Sequence, residues 1–143
     1  MDTQEVFNNS YQRCLRDPQF FYTFYDVFWQ KDDKFRQMFA NTDMDKQIKM
    51  LKLSIVMLML STTSKESRAL FNNYAERHGP GGLNVAPIDF DIWLDSLLET
   101  VAQTDPLYND DVDSAWRQCF ANGLAMMKAA CEAKTAHRPL YER

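Results

Sequence analysis

Only nine residues in this chain of 143 can break a helix outright, four glycines and five prolines, and where they fall decides what the chain can become. Three of the glycines stand beside a proline in Gly79-Pro80-Gly81-Gly82. Pro18, Pro87, Pro106 and Pro139 are widely separated, so the stretches between them run uninterrupted for many residues. Such spacing suits long helices and leaves few turns from which to build a sheet.

Apolar residues within those stretches recur at helical intervals. Val6, Phe7, Tyr11, Cys14 and Leu15 predict a short first helix, opened at Asp2-Thr3 and ended at Arg16-Asp17. Asp17-Pro18 reads as a restart, with Asp as cap and Pro at the first helical position. The second helix is expected over 19–30, with Phe21, Phe24, Tyr25 and Phe28 on one face. Asp32-Asp33 caps a short turn over 34–39. A long helix follows over 43–60, introduced by the spacing of Thr42 and Asp45, a variant of the capping box. Gln47, Leu51, Ile55 and Leu58 form its inner stripe, flanked by Met44, Ile48 and Val56.

The next helix is expected over 67–78, with Leu70, Phe71 and Tyr74 on its apolar face and His78 in its last turn. Gly79 and Pro80 stop it, glycine by accepting a left-handed cap and proline by ending the hydrogen-bond ladder. Pro87 opens a helix to about residue 103 carrying Ile88, Ile92, Trp93, Leu97, Leu98 and Val101, stopped by Thr104-Asp105-Pro106. Asp110 or Asp111 caps a last helix, with Val112, Trp116, Cys119, Phe120, Leu124 and Met127 inward, fading near Ala136. No repeat, linker or strand pattern interrupts the series. The class is all-α, and the length predicts a single domain over 1–143.

A hydrophobic content of 45% with 25% charged residues belongs to a globular chain rather than a disordered one. The net charge of −4 comes without a basic patch, which argues against nucleic acid. The apolar run over 53–60 is far too short to span a membrane. Cys14, Cys119 and Cys131 are odd in number and unpaired in spacing, and no signal-peptide pattern is present, so free thiols in a reducing cytoplasm are expected. Cys-x-x-Cys-His, the covalent c-type haem signature, does not occur. Aromatic residues make up 13%, enough to enclose something large and flat, although a Phe-rich core accounts for them equally.

The common catalytic arrangements are missing. The sequence holds no Gly-rich phosphate loop, no Gly-x-Ser-x-Gly and no His-Glu-x-x-His. His78 and His137 are its only histidines, too few for a zinc site, and His137 lies in the final residues. Glu76 and His78 have the wrong spacing for a carboxylate metal cluster. His78 therefore has two readings. The negative end of a helix dipole favours an imidazole there without any further role. A single histidine also suffices for an iron already held by a porphyrin.

Taken with these residues, the chain resembles a globin, specifically a bacterial single-domain haemoglobin, like the globin part of a flavohaemoglobin without its reductase. The resemblance runs from about Phe7 to about Cys131. Phe24-Tyr25 resembles the Phe-Tyr pair that bacterial globins place beneath the ligand site. Phe39 resembles the phenylalanine that stacks on the haem, and Gln47 with Leu51 resembles the distal polar residue and its apolar neighbour. His78, 31 residues after Gln47, is similar in position to the proximal iron ligand. Trp93 with Leu97-Leu98, then Ala115-Trp116, resembles the last two helices.

The resemblance implies a globin fold, a three-over-three helical sandwich around one non-covalent haem b. Phe39, Leu51, Ile55, Phe71, Tyr74, Val85, Phe90 and Trp93 would cover the cofactor, with Arg77 and Lys49 near its propionates. Tyr25, Gln47 and Leu51 would face the gas ligand. Without a ligand, the Tyr25 hydroxyl should recruit a water or bond to Gln47, because a buried hydroxyl without a partner costs about 1–3 kcal/mol. The implied function is reversible binding of oxygen or another diatomic gas, for storage, transport or scavenging. Oxygen gains negative charge when bound and should be held by the two donors; carbon monoxide, which gains less, should be held less.

Flavohaemoglobins carry a proximal tyrosine and glutamate where Phe90 and Cys131 stand here, with Glu132 one residue away. A reductase module does not fit in 143 residues, so nitric oxide dioxygenation would need a separate reductase and peroxidase work would be a side activity. A gas sensor acting through a partner protein is a third reading, and a haem-free scaffold a fourth.

Overall fold

The computed structural model describes residues 2–60 and 86–137, with side chains 59, 60 and 130–137 outside that description. Every regular element among the described residues is helical: α1 (Thr3–Leu15), α2 (Phe20–Lys31), α3 (Asp33–Met38), α4 (Met44–Leu60), α5 (Pro87–Thr104) and α6 (Asp110–His137). None is long and apolar enough to cross a membrane. The helix expected over 67–78 lies outside the described residues.

Two compact units divide the chain. The first comprises Met1–Ser54 and Ile92–Cys119. In it α1 begins at Asp2, whose carboxylate accepts from the Glu5 amide at 2.9 Å, and buries Phe7, Ser10 and Cys14 along one stripe. Leu15, expected inward, is exposed, since it sits about 100° round the helix from Cys14. Phe7 meets the indole of Trp116 edge-on, with ring centres 4.7 Å apart. Trp116 donates from Nε1 to Ser10 Oγ at 2.9 Å.

Asp17 does accept from the Gln19 amide, at 2.8 Å, as the restart signal predicts. The turn around Pro18 is nevertheless closed by an i→i+3 bond from Phe20 to Asp17, so α2 begins at Phe20. Its buried face holds Phe20, Phe21, Phe24, Tyr25 and Phe28. Phe28 stacks on Phe35 at 4.2 Å, which anchors the six-residue α3. Asp32 caps that helix by accepting from the Lys34 amide at 3.0 Å. The cap of α4 differs from expectation. Asp43, rather than Thr42, accepts from the amides of Asp45 and Lys46, at 3.0 and 3.4 Å, because its carboxylate reaches the first-turn N–H groups directly.

On α5 the residues Leu94, Leu97, Leu98 and Val101 are buried, together with Ser96 and Thr100. Both hydroxyls are satisfied by carbonyls one turn back, Ser96 on Ile92 at 2.7 Å and Thr100 on Ser96 at 2.9 Å. Asp105, at the end of α5, receives Arg13 Nε at 2.6 Å, Arg13 Nη2 at 2.9 Å and Ser10 Oγ at 2.6 Å. Burial would raise its pKa, but hydrogen bonds from Arg13, Ser10 and the Leu107 amide outweigh burial and hold it below the usual carboxylate range.

Burial pushes the neighbouring Cys14 thiol up to about 12, the Asp105 charge adding to the effect, and burial also raises Cys119. The thiolate is the reactive form. Iodoacetamide at pH 8 should therefore leave Cys14 unmodified in the folded protein and alkylate it in denaturant, read by mass spectrometry. Labelling of Cys14 in the native protein as fast as in denaturant would contradict its burial.

The second unit comprises Ile55–Asp91 and Phe120–Arg143. Within its described part Ile55, Leu58, Phe90, Phe120, Leu124 and Met127 are buried. Pro87 opens α5 as expected, and Asp89 reaches back to accept from the Ala86 amide at 3.0 Å, half of a capping box. Two residues assigned to the apolar faces are instead exposed. Val56 lies about 100° from Ile55 and Ile88 about 200° from Phe90, so neither shares its neighbour's buried face. Lys128 pairs with Asp91 at 2.5 Å on the surface, where such a bridge contributes at most about 1 kcal/mol.

Candidate functional site

Within the first unit, α2 and the part of α4 up to Ser54 are tied together at three points. Tyr22 Oη donates to Asp45 Oδ1 at 2.8 Å, a bond that raises the tyrosine's pKa, and Lys52 lies over the Phe21 ring at 5.3 Å. Between these surface ties is the third and more buried one. Gln47 Nε2 donates to Tyr25 Oη at 3.1 Å. Tyr25 is only 3% exposed, so its phenol sits in a largely water-free setting. Gln47 is one of the two partners expected for that hydroxyl.

Helical spacing produces this pair. Tyr25 follows the buried Phe21 by one turn and adjoins Phe24, with ring centres 5.0 Å apart. Gln47 precedes the buried Leu51 by one turn and lies at the edge of the inner stripe of α4. Phe39, at the C-terminal end of α3, presents its ring to Tyr25 at 5.8 Å and 64°. A tyrosine hydroxyl is able both to accept a hydrogen bond and to donate one. The arrangement is thus a polar pair set among Phe39, Phe24 and Leu51, able to hold a small polar ligand beside an apolar surface. Phe39, Phe24 and Leu51 are side chains of the kind a flat, apolar cofactor would need on this side.

The other expected site residues are distributed as follows. Trp93 is half-buried and meets Phe24 edge-on at 5.9 Å. Ile55 and Phe90 are buried in the second unit, and Lys49 is exposed. Phe71, Tyr74, Arg77, His78 and Val85 lie outside the described residues, as do the side chains of Cys131 and Glu132. Among the described residues no cluster of three His, Cys, Asp or Glu could hold a bare metal ion.

Sequence reasoning passed over Trp29. It lies one turn beyond Tyr25 on α2, with ring centres 5.7 Å apart, and its buried indole Nε1 has no acceptor among the described residues. Its spacing from Tyr25 was visible in the sequence. The missing acceptor was not, because that depends on packing.

No protein-family model matches the chain, and no curated protein does. A solved structure does match. It is the crystal structure of a Pseudomonas aeruginosa protein described as structurally highly homologous to a human haemoglobin. The TM-score is 0.83 and the identity 30%, over 90% of this chain and 98% of the other. The all-helical architecture agrees with that likeness throughout the described residues. Identity at this level, spread over nearly the whole of a haemoglobin-like chain, shows that this protein belongs to the globin family.

Proposed function

We propose that this protein is a haem protein that reversibly binds oxygen or another diatomic gas, with His78 as the proximal iron ligand and Tyr25 and Gln47 as distal donors. The observation that carries the reading is the Gln47–Tyr25 hydrogen bond of 3.1 Å beside Phe39. Haem, when bound, supplies an iron that takes up the gas and passes electron density to it. The protein's own groups then do the discriminating. Tyr25 donates its O–H toward the ligand atom that gains negative charge, while Gln47 keeps donating to the tyrosine oxygen. Each bond in such a chain polarises the next, so the pair holds a charge-accepting ligand more firmly than either donor alone. Phe39 and Leu51 exclude water and supply apolar contact, each well-buried side chain contributing roughly 1.5–3 kcal/mol.

The proposal includes haem b held without a covalent link, Ile55, Phe71, Tyr74, Val85, Phe90 and Trp93 as further haem contacts, and Arg77 near the propionates. It also includes a cytoplasmic location. Purified protein mixed with haem should develop a Soret band, and that band should shift when carbon monoxide is added to the reduced form. His78→Ala should bind haem weakly or lose it to apomyoglobin much faster than wild type. If the wild-type protein shows no Soret band after reconstitution, the haem reading falls. If His78→Ala keeps the wild-type spectrum and haem affinity, another residue is the ligand.

A further inference from the structure

Among the described residues Trp29 combines a buried polar atom, the lack of a protein acceptor and closeness to the proposed ligand site. Its indole is a donor only, so the group it is built to meet must be an acceptor. Position on the helix constrains where that group lies. Long side chains on an α-helix lean back over the preceding turn, and the turn preceding Trp29 is that of Tyr25. The two rings, 5.7 Å apart and inclined at 37°, agree with this. Nearby, Gln47 already donates to Tyr25, and Phe39 and Phe24 supply apolar walls. Trp29 thus adds an indole N–H without a partner beside the amide and the hydroxyl that are bonded to each other.

We propose that the Trp29 N–H is a third donor of the Tyr25–Gln47 site and gives it a preference for small inorganic anions over neutral gases. This rests on the haem reading above and extends it from gas binding to a class of charged ligand. A donor in a low-dielectric setting interacts more strongly with a full negative charge than with a neutral diatomic, so the indole should matter for one and hardly for the other. Azide is a suitable probe, and carbon monoxide is the neutral control.

The test compares wild type with Trp29→Phe, which keeps an aromatic ring on α2 and removes only the donor. In the oxidised protein, azide affinity measured by absorbance should fall roughly tenfold, the usual effect of losing a hydrogen bond to a charged group. Carbon monoxide affinity of the reduced protein should stay within about twofold, since no charge is involved. A merely structural tryptophan would lower both together, and that result overturns the proposal. Ultraviolet resonance Raman on wild type provides a second readout that needs no variant. Adding azide should move the indole N–H marker of one tryptophan to its hydrogen-bonded position. An unmoved marker, or equal azide affinities in the two proteins, overturns the proposal while a normal Soret band leaves the haem reading standing. Lack of a Soret band overturns both.

Discussion

Replacing Asp105 with alanine should destabilise the protein by about 3–5 kcal/mol, the usual penalty for removing one partner of a buried ion pair. The Asp105 side chain is 0% exposed and Arg13 only 18%. The carboxylate accepts two bonds from Arg13, one from Ser10 Oγ and one from the Leu107 amide at 2.9 Å. Alanine would leave those donors behind, with the guanidinium charge among them. Since domains of this size are stable by only about 5–15 kcal/mol in total, the fall in denaturation midpoint should be large. An apolar double replacement, Arg13→Met with Asp105→Leu, should recover much of the loss, because the cost comes from the stranded charge. A single variant with a wild-type midpoint would show the pair to be dispensable.

The same carboxylate makes a directional prediction about acid. Its folded pKa lies below the unfolded value of about 3.9. Its contribution is therefore fully present above that value and disappears as the pH falls through the lowered, folded one. The gap in stability between wild type and Asp105→Ala should accordingly narrow on acidification through that window. A gap that stayed constant down to the acid transition would mean that the carboxylate is not held in its charged form.

Tyr25→Phe should speed oxygen release by about tenfold to a hundredfold, on the proposed haem reading. A hydrogen bond to a charged or strongly polarised ligand contributes roughly 1.5–3 kcal/mol, and each 1.4 kcal/mol is a factor of ten. Phenylalanine preserves the ring that meets Phe39 and Phe24 and removes only the hydroxyl. It also leaves Gln47 Nε2 without its acceptor at 3.1 Å, so the amide becomes free to approach the ligand and recover part of the loss. Gln47→Leu in the Tyr25→Phe background should remove that compensation. Carbon monoxide release should change much less than oxygen release. An unchanged oxygen off-rate in Tyr25→Phe, measured by stopped-flow displacement, would rule out the hydroxyl as the stabilising donor.

Much of this architecture could be read in advance because helices advertise themselves locally. Pro87 at a helix start, Asp17 before a proline and the recurrence of Phe21, Phe24, Tyr25 and Phe28 each act within a turn or two. The expected start of α2 missed only because the turn after Asp17 is wound more tightly than an α-helix. Val56, Ile88 and Leu15 were placed inward because they are apolar, yet residue type does not override angular position on a helix. The Gln47–Tyr25 bond is one that the resemblance to globins led us to expect, whereas the orphaned donor on Trp29 depends on neighbours packed around it. Asp105 was hidden for a related reason. Its sequence context, Thr104-Asp105-Pro106, reads as nothing more than a stop signal, while its partners Ser10 and Arg13 are 95 and 92 residues away.

The bond from Trp116 to Ser10 joins residues 106 positions apart. On a ribosome adding about 5–20 residues per second, α1 would be made roughly 5–20 s before the tryptophan that covers it. For that interval Phe7 and Cys14 would face water or a chaperone. The first helix translated would then be among the last parts of the first unit to settle. A nascent chain halted short of Trp116 should accordingly remain open to protease throughout α1, and one extended beyond it should close.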